Sequence, residues 1–105
     1  MELAVVDRFL LLGILPPEGD ITTLRIVRDL RRDLGFSEEE LEAFKIKLHK
    51  DTGQVQWDVT TATSKEVPVG PKAHSLIAEA LKKLSKEKKL RADHLDLYDR
   101  FVEED

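Results

Sequence analysis

The side chains able to do chemistry in this 105-residue chain are few and scattered. His49, His74 and His94 stand far apart, and none has a second His or a carboxylate at a metal-ligand spacing; His94 beside Asp93 is only a neighbouring pair. The absence of Cys removes thiolate zinc sites, iron–sulfur clusters, disulfide frameworks and cysteine nucleophiles together. Ser37, Ser64, Ser75 and Ser85 have no nucleophile-elbow context. Gly13, Gly19, Gly35, Gly53 and Gly70 are isolated, so neither phosphate-binding glycine spacing occurs. Glu38, Glu39, Glu40 and Glu42 could be imagined as an acid/base pair, but carboxylates at a helix start usually face water and favour the helix dipole. The expectation is a protein without catalytic residues, metal or cofactor.

Residues suited to binding are more abundant. Arg25, Arg28 and Arg32 lie close to one helical stripe, with Arg31 nearly a turn from Arg28. Guanidinium forks hold carboxylates and phosphates through paired hydrogen bonds, so this face suits an acidic protein surface, a nucleotide or a nucleic-acid backbone. Asp29, four residues after Arg25 and three before Arg32, offers the competing outcome of an internally paired, solvated face. Lys82, Lys83, Lys86, Lys88, Lys89 and Arg91 form the densest basic run, opposed only by Glu87. It is a docking patch for acidic partners or nucleic acid, or else the favourable charge of a helix C-terminus, with Glu79 spaced to pair with Lys83. Trp57, the single Trp, anchors a hairpin or serves as an interface hot spot.

These residues need a scaffold, and the composition bounds it. With 41% apolar and 36% charged residues, the chain supports one small domain spanning 1–105. The formal charge of −4 argues against nonspecific coating of nucleic acid. The apolar run Phe9 to Leu12 is far shorter than the ~20 residues of a membrane span. Glu2 and Asp7 fall where a signal peptide would be basic, so the expectation is a cytoplasmic protein without membrane contact.

Periodicity predicts an α+β fold with three N-terminal helices, a β-hairpin and two C-terminal helices. The first helix covers Glu2 to Leu15, with Leu3, Val6, Phe9, Leu10 and Gly13 on one stripe, and Pro16-Pro17 ends it. Val5, Leu11, Leu12 and Ile14 lie off that stripe, so the helix is expected to be covered on more than one side, within the fold or by a second copy of the chain. Asp20 caps a second helix carrying Leu24, Val27, Leu30 and Leu34, and Gly35 stops it. Ser37-Glu38-Glu39-Glu40 has the form of a capping box for a short third helix, with Phe36 and Leu41 as its hydrophobic staple. From Phe44 the period becomes two: Phe44, Ile46, Leu48 and then Val55, Trp57, Val59 predict an antiparallel hairpin turning at Lys50-Asp51-Thr52-Gly53. Val67 and Val69 suggest a third, edge strand. A fourth helix starts near Pro71 and fades near Lys88; a fifth starts near Ala92, its last residues Glu103 to Asp105 fraying at the unfavourable end of the dipole.

Three helices followed by a hairpin is a winged-helix-like order, in which the third helix would enter the DNA major groove. Here that helix bears Glu38, Glu39, Glu40 and Glu42, which oppose a phosphate-lined groove, so nucleic-acid binding is disfavoured relative to protein binding.

The run from Arg8 through Phe9, the leucines, Pro16-Pro17, Glu18-Gly19-Asp20, Ile21 to Leu30 and Gly35 to Glu40, with the closing Asp93 to Phe101, resembles small uncharacterised proteins of tailed bacteriophages and prophages. The resemblance covers most of the chain and contains no catalytic motif. It implies a binding role in the host cytoplasm, as an inhibitor or decoy of host machinery or a component of particle assembly.

Overall fold

The computed structural model describes residues 1–49 and 51–102. In chain order the elements are β1 (Glu2–Leu3), α1 (Val5–Ile14), α2 (Ile21–Leu34), α3 (Glu38–Ala43), β2 (Lys47–His49), β3 (Gln54–Gln56), β4 (Lys65–Glu66), α4 (Pro71–Lys86), a 3-10 turn (Ala92–His94) and α5 (Leu95–Phe101). The fold is small and α+β, with two separate two-stranded antiparallel sheets, β1 with β4 and β2 with β3. Lys50 of the turn and the acidic residues Glu103 to Asp105 lie outside the described residues.

Local chemistry sets the helix boundaries. The Asp20 carboxylate accepts the Thr23 amide at 2.7 Å, and the predicted capping box forms, Ser37 Oγ accepting the Glu40 amide at 3.1 Å while Glu40 Oε1 accepts the Ser37 amide at 3.0 Å. Pro71 occupies the first turn of α4, where its missing amide costs nothing. Gly35 ends α2 without a left-handed backbone. Its role is space, because a Cβ there would lie 3.0 Å from the Arg31 carbonyl oxygen.

Two helices end in a motif that the sequence conceals. After α3 the Ile46 amide reaches the Leu41 carbonyl at 3.0 Å and the Lys45 amide reaches Glu42; after α4 the Lys89 amide reaches Leu84 at 2.8 Å and the Lys88 amide reaches Ser85. These are Schellman closures, which require a left-handed residue normally supplied by Gly. Here lysines take it, Lys45 at φ 53° and Lys88 at φ 59°.

That turn at Lys45 shortens the predicted hairpin. Phe44 caps α3 and is buried, the ladder starts only at Lys47, and Leu48 faces Val55 across it with Leu48 62% exposed. The alternation is present, but its apolar face is covered only in part: Val55 and Trp57 are half-buried, while Leu48 and Val59 are exposed. Gly53, at φ 71°, closes the turn with its amide on the His49 carbonyl. The expected edge strand occurs two residues early, at Lys65–Glu66, and pairs with residues assigned to the first helix. Glu2–Leu3 is extended because its backbone pairs with β4, so α1 begins at Val5.

The core joins Leu3, Leu11 and Leu15 to Val27, Leu30 and Leu34 of α2, Val67, Ile77 and Leu81 of α4, and Leu97 and Phe101 of α5. The face of α1 that is buried carries Val5, Arg8 and Leu11; of the predicted stripe, Leu3 is buried, Phe9 and Leu10 are half-buried, and Val6 and Gly13 are exposed. Leu24, expected inside, is 37% exposed. Phe36 stacks on Phe9 at 4.6 Å between ring centroids, and the proposed staple partner Leu41 is 40% exposed.

Candidate binding groove

The buried charges are engaged in holding helix ends together. Arg8 is completely buried, and each of its three nitrogens finds an acceptor: Nε donates to the Leu34 carbonyl at 3.0 Å, Nη1 to Glu40 Oε2 at 2.7 Å, and Nη2 to Glu40 Oε1 and to the Gly35 carbonyl. Its guanidinium lies 3.9 Å over the Phe36 ring. One side chain of α1 thus ties the end of α2 to the start of α3. The Arg8 hydrogen bonds hold the Glu40 carboxyl down at about 2, against an ordinary 4.5.

A second clamp repeats the arrangement. Asp7 Oδ2 reaches back to the Ala4 amide at 3.0 Å, and Oδ1 accepts Arg100 Nη2 of α5 at 2.8 Å, while Asp96 takes the same guanidinium from one turn earlier. In the 3-10 turn, His94 Nδ1 accepts the Arg91 amide at 3.0 Å, so the ring must be neutral at that nitrogen. Burial pushes the His94 pKa below its usual value, and the Arg91 charge adds to the effect. His49 bonds Gln56 at 2.8 Å, and His74 packs on Phe101. Among the described residues, no three His, Asp or Glu side chains converge as a metal-binding group.

A concavity of about 510 Å³ forms a groove between α1 and α4. One wall is Gly13, Ile14, Leu15, Pro16 and Pro17; the other is Leu76, Ala80 and Leu84, with Glu18, Glu79, Lys83 and Glu87 at the rim. A smaller recess of about 210 Å³ continues past Gly13, Ile14 and Leu84 to Phe9, Leu10, Arg91 and His94. The main volume falls within the ~300–1,000 Å³ typical of ligand-binding clefts. Gly13 is its distinctive residue, because a Cβ placed there would meet nothing within 4 Å. Glycine weakens a helix by roughly 0.5–1 kcal/mol relative to Ala. No positive φ and no close packing within the monomer requires it.

The predicted binding residues fall outside this groove, apart from Lys83 on its rim. Arg25, Arg28, Arg31 and Arg32 are all exposed on α2. Arg28 approaches Asp29 at 3.2 Å, and Arg32 approaches Asp33 at 3.3 Å and Asp29 at 3.7 Å, while Arg25 and Arg31 make no ion pair among the described residues. Lys82, Lys83, Lys86, Lys88 and Lys89 are exposed as well; Lys89 lies 4.0 Å from Glu87, and no Glu79–Lys83 pair forms among the described residues. The two basic clusters are not brought together. Pro16 and Pro17 separate Lys83, in the groove, from Arg28 and Arg31, which rim a second slot of about 280 Å³ with Leu24 and Val27. Trp57 is half-buried 5.6 Å from the Phe9 ring, anchoring the hairpin to α1.

Sequence reasoning passed over Arg8, Asp7, Arg100 and Gly13. The available signal was Arg8 at the spacing of Val5, Leu11 and Leu15, a charge inside an apolar stripe that demands a buried partner. No protein-family model matches this chain, no curated protein is detectably similar to it, and no solved structure is detectably similar to its fold.

Proposed function

We propose that this chain is a non-enzymatic protein-binding module that seats an apolar segment of its partner in the α1–α4 groove. Gly13 carries the reading: a helical glycine that lowers stability and answers to no internal packing, in the wall of an open cleft lined by apolar and charged residues. The buried ionisable groups support it, since Arg8, Asp7 and His94 are each committed to a helix terminus, as is the half-buried Glu40 that pairs with Arg8. From the resemblance of the sequence to small phage proteins we infer the setting, the cytoplasm of an infected host, with a host factor or particle component as partner. Among the described residues, no helix is long and apolar enough to cross a membrane.

The experiment is affinity capture from the host with the wild type and Gly13→Leu. A Cβ at this position meets nothing within 4 Å and the Leu side chain would project into the cleft, so the melting temperature should equal or exceed the wild type while the captured protein is lost. Retention of the same partner at unchanged affinity would remove the groove from the function. Self-association is the version in which the occupant is a second copy; light scattering at micromolar concentration that shows only a 12.0 kDa species would eliminate it.

A second reading, a nucleic-acid or nucleotide binder, is favoured by Arg25, Arg31, Lys82 and Lys86, which form no ion pairs among the described residues. Retardation of duplex DNA, single strands or RNA that fades steeply with salt would support it, and none at low salt would exclude the polymer form.

A further inference from the structure

We propose that the slot between Pro16–Pro17 and α2 is a second docking site, distinct from the groove, for an acidic segment of a partner protein that carries one apolar anchor. Ile21, Leu24, Arg28 and Arg31 follow one another at helical spacings of three and four and therefore share a stripe. Its first half is apolar and open to water, Ile21 being 64% and Leu24 37% exposed; its second half is two guanidinium groups. Such a stripe has one end for a hydrocarbon side chain and one end for a carboxylate.

Charge selects the occupant. The slot is lined by arginines and no carboxylate, on a helix with four Arg and two Asp, net +2, in a chain of net −4. The Arg28–Asp29 contact is open to solvent on both sides, and exposed pairs of this kind contribute roughly 0–1 kcal/mol, so an incoming carboxylate exchanges with it at little cost. Arg31 has no ion pair to give up among the described residues. A nucleic-acid backbone fits less well: phosphates repeating along α2 would meet Asp29 between the arginines and Asp33 directly after them, and a floor of Leu24 and Val27 offers them nothing.

Spacing sets the ligand pattern. Arg28 and Arg31 lie four and seven residues beyond Leu24, or ~6 and ~10 Å along the axis at ~1.5 Å per residue. An extended peptide at ~3.3 Å per residue covers this in two or three positions. The recognised segment therefore pairs an aliphatic or aromatic residue with Asp or Glu two to three positions away.

The test uses the full chain and a fluorescein-labelled Gly/Ser peptide containing Leu-Ser-Asp-Glu, with one copy in which the acids become Asn and Gln and another in which Leu becomes Ser. Anisotropy should show saturable binding of the parent peptide, weakened about tenfold or more in each copy, at high salt, and by Arg28→Glu with Arg31→Glu. Amide shifts in heteronuclear NMR should centre on residues 16–31 and persist in Gly13→Leu, which separates this site from the groove. Equal binding of the Asn/Gln copy, shifts centred elsewhere, or a short duplex DNA that binds these residues when the acidic peptide does not would each overturn the proposal. Leu24→Ser, also exposed, gives the same reading should the charge reversals unfold.

Discussion

Replacing Glu40 by Gln should expose how much of the fold depends on the Arg8 clamp. A carboxyl held at about 2, where an ordinary Glu titrates at 4.5, corresponds to at most about 3 kcal/mol of interaction with its charged form. The Glu40 side chain is 23% exposed, and solvent screening reduces that to about 1–2 kcal/mol. The variant loses more than this, because Arg8 has no exposed surface and would keep its two carbonyl acceptors and one amide oxygen but no counter-charge; stranding a buried charge typically costs about 3–5 kcal/mol, so a loss of about 2–4 kcal/mol is expected. The pH dependence has a definite sign. Glu40's folded value is depressed, so its contribution is complete above 4.5 and is lost as pH falls from 4.5 towards about 2. Urea unfolding of both proteins at neutral pH and at steps through that window measures the two effects together. The Glu40→Gln protein should be less stable at neutral pH and lose less on acidification, so that the difference narrows. Parallel loss in the two proteins through the window would refute the pairing argument. Arg8→Met combined with Glu40→Gln should cost less than the sum of the single changes.

Other expectations are shorter to state. Lys88→Gly should stabilise the protein by about 1 kcal/mol, seen as a higher denaturation midpoint with unchanged slope, because glycine relieves the left-handed backbone after α4. His94 has a lowered pKa, so its contribution is present above its ordinary 6.5 and is lost as pH falls through the folded value; an NMR titration should place the ring below 6.5, and His94→Gln, which keeps an acceptor for the Arg91 amide, should remove that part of the acid sensitivity. Trp57→Ala should cost about 2–3 kcal/mol and release the hairpin from α1, whereas Trp57→Phe should retain most of the stability; near-ultraviolet circular dichroism and thermal melts distinguish the two.

Local signals carried the fold as far as they reach. Asp20, the Ser37–Glu40 box, Pro71 and the apolar spacing of α2 and α4 act within one or two turns, and the helices stand where those residues put them. What failed depends on distant partners. Leu3 is extended because of Lys65, 62 positions away, and Arg8 is inside because Glu40 waits 32 positions away. The Schellman lysines misled for another reason: Lys45 has no propensity for a left-handed turn, so an alternating pattern ran through it unbroken. The arginine face was legible as a charged stripe, but the slot under it needed Pro16 and Pro17 folded against α2, and the groove needed α4 opposite Gly13.

The twin use of Asp7 and Glu40 couples events that are separate in most helices. Each acid starts its own helix by bonding a backbone amide and at the same moment fastens an arginine from a remote segment. Unwinding either helix at its beginning therefore unfastens another element, and neither end can fray in private. Hydrogen exchange at the Ala4 and Ser37 amides would then depend on release of the remote arginine as well as on the first turn of each helix.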